Sequence, residues 1–296
     1  MSDSSLFKSK QDKPPSYVSP LLKPVSSEQR YPPSPAPQAE SPNGPCALAE
    51  ALLGANTVSL AARPFALWVD TRFRPPQQQA DIDERLLDSV EASQHQAVAR
   101  IWSNSPSLVV SRREQNWPGF ASAVARLTQR GHEIVMRRTG GTAVVHSPGV
   151  LNFSLCYHLP DVDIFSVDAS YALLNTQLIR FLQSIGIAAT QGEVEGAYCP
   201  GRFDIVSDGR KLAGTAQRVK RIASGQNVLS HLSLNVCNAL SRQDEIIDQY
   251  YIDCEQEFEI TPDVTTSVNN LLPEDKRFVS GLALGEQWAD FLAGPK

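Results

Sequence analysis

The chain has 296 residues, and its 27 Lys and Arg against 32 Asp and Glu give a formal net charge of −5. A net acidic chain is a poor candidate for binding a nucleic-acid backbone, and no apolar run reaches the roughly 20 residues that a membrane helix requires. The five cysteines are scattered and include no CxxC pair, so we expect no metal site. Composition therefore predicts a cytoplasmic, metal-free globular protein with no nucleic-acid or membrane partner.

The first 46 residues differ in composition from the rest of the chain. Ten of the 21 prolines lie there, among Ser, Lys and Gln residues. Such a segment cannot bury enough apolar area to offset its ordering entropy, so we expect residues 1–46 to be disordered. Residues 47–296 are expected to form one folded domain with no C-terminal accessory domain.

After this tail, short β-branched runs alternate with amphipathic segments, which predicts an α/β or α+β fold. The predicted elements, in chain order, are strand Phe65–Asp70, helix Ala80–Ala92, strands Ile101–Ser103 and Leu108–Ser111, helix Pro118–Arg130, strands Ile134–Arg138 and Thr142–His146, helix Asp168–Ile185, hairpin Phe203–Ser207 with Arg210–Ala213, and strand Ser230–Val236. From Ala239 the chain is expected to be mostly helical, closing with an amphipathic stretch around Glu286–Leu292.

The first segment that carries chemistry runs from Arg137 to His146. Arg137 and Arg138 precede a Gly140-Gly141 turn, and His146 follows it. Cations beside a backbone that a ligand can approach closely suit an anionic group such as a phosphate or a carboxylate. Taken alone, the segment is also typical of a strand–turn–strand with surface arginines.

The second segment begins at Lys211 and continues through the small residues Gly214, Thr215 and Ala216. Lys211 lies on the second strand of the predicted hairpin, whose Asp-Gly pair at 208–209 suits a type I′ turn because both residues need a positive φ. Small residues leave room for a ligand against the backbone. The alternative is a solvated lysine at a strand end.

The third segment is a Gly/Pro loop that contains Cys199, just before this hairpin. A cysteine near Lys or Arg in a partly open loop can have a lowered pKa, and its thiolate is then a nucleophile. Cys156 and Cys237 lie in apolar strand contexts, and we expect both of them to be inert.

Together these segments resemble the catalytic domain shared by lipoate-protein ligase A, the octanoyl transferases and, more distantly, biotin-protein ligase. The resemblance covers about Phe65 to Pro273. The family's Arg-x-x-Gly-Gly-x-Ala-Val-x-His segment and its later Lys-x-x-Gly-[Ser/Thr]-Ala segment stand here in the same order. The Gly-Arg-Gly-Arg loop of biotin ligases is absent, which disfavours biotin. The resemblance implies a mixed β-sheet flanked by helices, with a tunnel for a medium-length acyl chain.

The resemblance also implies roles for single residues. Lys211 would contact the acyl carbonyl and stabilise negative charge on its oxygen. The residues that would line the pocket or flank the acyl chain are Arg137, Arg138, Gly140, Gly141, Gly214, Thr215 and Ala216. His146 and His231 match family histidines, but Leu232 replaces the glycine that usually follows the second of them, which puts the role of His231 in doubt. His95, His132 and His158 match no motif and are expected on the surface.

Two chemistries follow from the resemblance. A transferase would pass an octanoyl or lipoyl group from acyl carrier protein, through a Cys199 thioester, to a lysine of a lipoyl-domain protein such as glycine cleavage H protein or 2-oxoacid dehydrogenase E2, without a cofactor. A ligase would activate free lipoate or octanoate with ATP and Mg, with or without a separate accessory subunit. Cys199 and the end of the chain soon after the catalytic region favour the transferase. A non-catalytic acyl- or carrier-binding module is a third hypothesis, which only Leu232 supports.

Overall fold

The computed structural model describes residues 56–60, 63–93, 96–161 and 165–294. The strands in these ranges are β1 (Asn56–Leu60), β2 (Arg63–Asp70), β3 (Ala97–Trp102), β4 (Ser107–Ser111), β5 (Glu133–Arg137), β6 (Val144–His146), β7 (Val150–Pro160), β8 (Thr190–Gln191), β9 (Ile205–Ser207), β10 (Arg210–Ile222) and β11 (Gly225–Asn235). The helices are α1 (Pro76–Ser89), α2 (Phe120–Gln129), α3 (Val167–Ser184), α4 (Leu240–Asp253), α5 (Val268–Leu271) and α6 (Gly281–Ala293). The tail predicted at residues 1–46 and His95 lie outside the described residues.

The predicted elements are confirmed, although their ends differ. Helix α1 begins four residues earlier than predicted, at Pro76, because proline fits the first helical turn. The Asp208-Gly209 turn has φ values of 49° and 71°, as a type I′ turn requires. Strand β10 then continues to Ile222 and pairs with β11 along its length, so the hairpin strand is far longer than predicted.

Two mixed sheets form the framework, which confirms the predicted fold class. The eight-stranded sheet has the order β1-β2-β3-β7-β11-β10-β9-β8, and the three-stranded sheet has the order β5-β4-β6. In the large sheet β2 and β3 are parallel while the other pairs are antiparallel. In the small sheet β4 is parallel to β5 and antiparallel to β6.

Helices cover both faces of the large sheet. On one face, α3 and α6 close the main apolar core, in which the rings of Phe153 and Trp288 lie 4.6 Å apart. On the opposite face, α1 packs against Cys156 and Leu229. Helices α2 and α4 pack with the small sheet in a separate core. A concave space is thus bounded by α1, the small sheet and one face of the large sheet.

The register of the strands brings polar residues of four strands onto that face of the large sheet. Cross-strand partners share a face, and side chains alternate between the two faces along each strand. Two adjacent rows across β3, β7, β11 and β10 face the space: Trp102, Asn152, Ser233 and Gly214 form one, and Arg100, Ser154, His231 and Ala216 form the other. Leu232 lies in the intervening row, with Phe153 and Thr215 as partners, and its side chain is buried in the core beyond the sheet. The residue in place of the family glycine therefore adds no side chain to the polar face.

Two histidines predicted on the surface are buried instead. His132 is 7% exposed and His158 is 5% exposed, and Nδ1 of His158 contacts Asn227 Oδ1 at 2.9 Å. The prediction was wrong because no local pattern shows that partner, which lies 69 residues away. Within the described ranges, no helix is long and apolar enough to cross a bilayer.

Candidate active site

A pocket of about 150 Å³ lies between α1, the small sheet and the polar rows of the large sheet. Its apolar wall is made by Trp102, Val109, Met136, Val144 and Leu229. Of the eleven residues predicted for the site, ten line the pocket: Arg137, Arg138, Gly140, His146, Cys199, Lys211, Gly214, Thr215, Ala216 and His231. The eleventh, Gly141, lies directly beside Cys199. The pocket thus brings together residues from three separate segments of the sequence.

Cys199 lies at the base of this pocket in a conformation that side chains rarely adopt, with a φ of 42°. Its Sγ atom accepts the backbone N–H of Thr142 at 3.1 Å, and Nη2 of Arg137 lies 3.8 Å away. Burial raises the pKa of the Cys199 thiol, but Arg137, Lys211 and the Thr142 N–H outweigh it, so the net shift is downward. The arrangement therefore favours a thiolate nucleophile.

Gly141 makes this close approach possible. Its φ is +95°, and a Cβ atom there would lie 2.7 Å from Cys199 Sγ and 2.6 Å from Arg137 Nη2. Both distances are far inside van der Waals contact, so a side chain would displace the sulfur or the guanidinium. The turn therefore needs a glycine at position 141, because the thiol and the guanidinium occupy the space that a side chain would take.

Lys211 is fully buried beneath the same loop. Its Nζ atom donates to the carbonyl oxygens of Tyr198 at 2.9 Å and Cys199 at 2.6 Å, and it forms an ion pair with Asp204 Oδ2 at 2.7 Å. Burial raises the pKa of the Asp204 carboxyl, and the Lys211 ammonium opposes that shift. Asp204 also accepts the backbone N–H groups of Gly201 and Thr215, so this buried pair fastens the Cys199 loop to β10.

Two neutral imidazoles line the pocket near Arg137. Burial, followed by the Arg137 charge, lowers the pKa of both His146 and His231 to about 3. Ser233 Oγ donates to Asn152 Oδ1 at 2.7 Å and lies 3.2 Å from His146 Nε2. This network assigns the proton of His146 to Nε2 and leaves its buried Nδ1 without a partner. The imidazoles are therefore polar lining groups, uncharged at neutral pH.

The other predicted residues differ in how they face the pocket. The Arg138 side chain is 49% exposed at the rim and lies 3.8 Å from Glu84. Gly214 and Ala216 share the polar face with Ser233 and His231. Thr215 alternates to the other face, where its hydroxyl donates to Phe203 O at 3.0 Å. Its side chain therefore points away from the acyl chain that it was expected to flank.

A buried ionic cluster supports the far wall of the pocket. Arg100 is fully buried and contacts Asp70 at 2.7 Å and Asp83 at 2.9 Å. Asp83 also accepts the Ser154 hydroxyl at 2.5 Å, and Ser154 in turn accepts the indole N–H of Trp102 at 3.0 Å. Because Trp102 and Asp83 both line the pocket, this cluster fixes the position of the wall.

The predictions did not single out Thr142, Asp204 or the Arg100 cluster. Asp204 carried a usable signal, since it is an ionisable residue in the first strand of the predicted hairpin that carries Lys211. Thr142 acts on the thiol through its backbone N–H, which every residue type except proline could supply, and a hydrogen bond from its side chain also lowers the pKa of Cys199. Among the described residues, no group of three or more His, Cys, Asp or Glu residues is arranged to hold a metal ion.

Comparisons with known proteins identify relatives of this chain. The octanoyl-[GcvH]:protein N-octanoyltransferase of Geobacillus kaustophilus is 33% identical over 171 residues, 57% of this chain and 58% of that protein. The lipoyl-[GcvH]:protein N-lipoyltransferase of Listeria monocytogenes is 28% identical over 200 residues, 65% of this chain and 70% of that protein. The match thus spans less than two thirds of the Geobacillus protein's length.

The solved structure of lipoate-protein ligase A bound with ATP shares the fold, with a TM-score of 0.52 and 17% identity over 71% of this chain and 78% of that one. The family model described as the lipoyl protein ligase A/B catalytic domain matches residues 75–279, which is more than half of the chain. The chain therefore belongs to the lipoyl protein ligase A/B catalytic domain family.

Proposed function

We propose that this protein is an acyltransferase that moves an octanoyl or lipoyl group from one protein to a lysine of another through a thioester on Cys199. The observation that carries the proposal is Cys199, which lines a pocket with an apolar wall and holds its sulfur beside the Thr142 N–H and the Arg137 guanidinium. A ligase that forms an acyl-adenylate has no need of a thiolate at this point. The names of the relatives, which are transferases, support the same choice.

The relatives' names also suggest the acyl donor. They place the octanoyl or lipoyl group on GcvH before transfer, whereas the sequence led us to expect acyl carrier protein as the acyl donor. We propose acylated GcvH as the acyl donor and a lipoyl-domain lysine, such as that of a 2-oxoacid dehydrogenase E2, as the acceptor. Acyl carrier protein stays a prediction that the experiment below tests.

The chemistry balances without an activating cofactor. In the first half-reaction the Cys199 thiolate attacks the acyl carbonyl carbon, the C–N bond to the GcvH lysine breaks, and that nitrogen takes up a proton. In the second, the neutral amine of the acceptor lysine attacks the thioester, the C–S bond breaks, and the nitrogen loses a proton. One amide is broken and one is formed, so the exchange needs no ATP.

Intact-mass analysis of an apo lipoyl domain tests this proposal. Three reactions contain the protein with octanoyl-GcvH, with octanoyl-acyl carrier protein, or with free octanoate and Mg-ATP. We expect the acceptor to gain one octanoyl group in the first reaction and none in the third. A gain in the second reaction alone would show that acyl carrier protein, and not GcvH, is the acyl donor. A gain only in the third would show that the protein is an ATP-dependent ligase.

A further inference from the structure

We propose that Arg137, and not Lys211, supplies the side-chain N–H that stabilises the oxyanion formed when Cys199 attacks an acyl group, and that Lys211 is a positioning residue for the Cys199 loop. The inference rests on the proposed function, because it concerns the acylation half-reaction at the same sulfur. It departs from the role that the family resemblance implies for Lys211.

The contacts of Lys211 leave it no donor for a bound substrate. An ammonium group has three N–H bonds, and Nζ of Lys211 has three close oxygen acceptors, at 2.9, 2.6 and 2.7 Å. Two of these are the carbonyls of Tyr198 and Cys199, and the third is the Asp204 carboxylate. For Lys211 to reach an acyl oxygen, a fully buried N–H would have to leave one of these partners.

The same contacts explain what Lys211 does. Cys199 is a non-glycine residue at a φ of 42°, and such a conformation persists only where its surroundings hold it. Lys211 donates to the carbonyl oxygens of the two consecutive peptide units that flank the Cα atom of Cys199. Its own backbone is fixed in turn by hydrogen bonds with Val264 and Thr266. Lys211 therefore holds the strained residue that aims the sulfur.

Arg137 has the free donor that Lys211 lacks. Its Nε atom is buried and has no hydrogen-bond partner. The guanidinium is held in place by the Thr142 carbonyl, which accepts from Nη2 at 2.5 Å, and Nη2 lies 3.8 Å from Cys199 Sγ. A guanidinium that contacts the nucleophile through Nη2 and keeps an unpaired donor at Nε is planar and permanently charged, which suits an oxygen that becomes negative.

Charge movement during the reaction fits this assignment. When Sγ attacks, the C–S bond forms and the π electrons of the carbonyl move to its oxygen. The negative charge that Arg137 and the Thr142 N–H stabilise on sulfur thereby passes to an oxygen two bonds away. When the intermediate collapses, the C=O bond re-forms and the leaving group departs with its bonding pair. Because these donors already surround the sulfur, they need to move little to stabilise the negative charge once it lies on the oxygen.

Two assays that need no protein substrate separate the roles. Iodoacetamide labelling of Cys199, followed by peptide mass analysis across pH, reports the thiolate. The burst of p-nitrophenolate from p-nitrophenyl octanoate reports acylation, and this leaving group needs no proton. Arg137→Lys keeps the positive charge but loses the Nε–H donor of the guanidinium, and Arg137→Gln loses both. The double variant Lys211→Met with Asp204→Asn removes both members of the buried ion pair. Arg126→Gln, an exposed arginine paired with Asp253, is the matched control.

We expect Arg137→Lys to label within about threefold of the wild-type rate but to lose about 10²-fold in the burst rate. Arg137→Gln should lose about tenfold in labelling at pH 6.5, because the charge that favours the Cys199 thiolate is gone, and it should lose the burst as well. The Lys211/Asp204 double variant should lose both activities together. Arg126→Gln should match wild type in both assays.

Three results would overturn the inference. These are an Arg137→Lys burst within about threefold of wild type, a double variant that labels normally but shows no burst, and a wild-type protein that shows no burst at all. If the double variant fails to fold, the Arg137→Lys result decides alone. Failure of protein-to-protein transfer with a normal Arg137-dependent burst would instead reject the proposed function and leave this assignment standing.

Discussion

Thr142 donates its backbone N–H to the Sγ atom of Cys199 over 3.1 Å, across 57 residues of sequence. This contact joins the glycine turn to the cysteine loop and sets the nucleophile next to the arginine that precedes the turn. The acyl-transfer chemistry proposed for this site depends on that junction. The predictions that follow test the junction and the structure that supports it.

Replacing Gly141 with Ala should disable the thiol without unfolding the protein. The new Cβ would collide with both Cys199 Sγ and Arg137 Nη2, at 2.7 and 2.6 Å, so one of them must move. We expect iodoacetamide labelling of Cys199 at pH 6.5 to fall about tenfold, because the cation and the N–H donor that favour the thiolate no longer meet the sulfur. The backbone strain alone should destabilise the fold by about 1–2 kcal/mol.

Gly131→Ala is the matched control for this strain. Gly131 has a similar φ of +81°, but no atom lies within 4 Å of the position of its Cβ. Its loss of stability in urea should resemble that of Gly141→Ala, while Cys199 labelling stays at the wild-type rate. Equal labelling in both glycine variants would show that the close approach to the sulfur has no role.

Arg100→Met should strongly destabilise the fold. Arg100 is fully buried, and its removal leaves the Asp83 carboxylate in the interior without a cation and leaves Asp70 with Arg74 as its one remaining cationic partner among the described residues. Breaking a buried pair in this way lowers the free energy of unfolding by about 3–5 kcal/mol. Urea denaturation measures the change. Lys220→Ala, which breaks the exposed pair with Asp88, should change it by less than about 1 kcal/mol. Similar losses in the two variants would refute the proposed support of the pocket wall.

Leu232→Gly, which restores the family residue, should destabilise the protein rather than enlarge the pocket. The Leu232 side chain is 1% exposed and packs in the main core, on the face of the sheet away from His231. Removing it leaves a cavity, so we expect a loss of more than about 2 kcal/mol in urea denaturation. The burst rate with p-nitrophenyl octanoate should be unchanged. A variant as stable as wild type with a faster burst would place this side chain in the pocket.

Stability should fall as pH drops below about 6.5. The folded protein keeps His146 and His231 neutral down to about pH 3, whereas the unfolded chain binds protons near pH 6.5. Between those values the unfolded state holds more protons, so the free energy of unfolding rises with pH, by up to about 1.4 kcal/mol per pH unit for each histidine. Urea denaturation at pH 5.5 and pH 7 tests this slope, and His146→Gln should reduce it. An unchanged slope in that variant would mean that His146 does not stay neutral.

The sequence was sufficient to predict most of the strands and helices and the three segments that meet at the pocket. It succeeded there because glycine turns, apolar periodicity and the spacing of motifs are local signals. It did not predict β1, β8 or the central strand β7. It could not show that Lys211 has three buried partners, because two of them are backbone carbonyls. Nor could it show that Thr215 and Leu232, which both line the pocket, direct their side chains to the opposite face of the large sheet, because that depends on the register of β10 and β11.

The central claim, a covalent route through Cys199, is tested most directly by intact mass of the protein itself. The protein is mixed with octanoyl-GcvH without ATP, quenched in acid within one turnover, and digested to locate the modification. The account predicts one octanoyl group on Cys199, which apo lipoyl domain then removes, and no adduct in Cys199→Ser. Full acyl transfer by Cys199→Ser would contradict it.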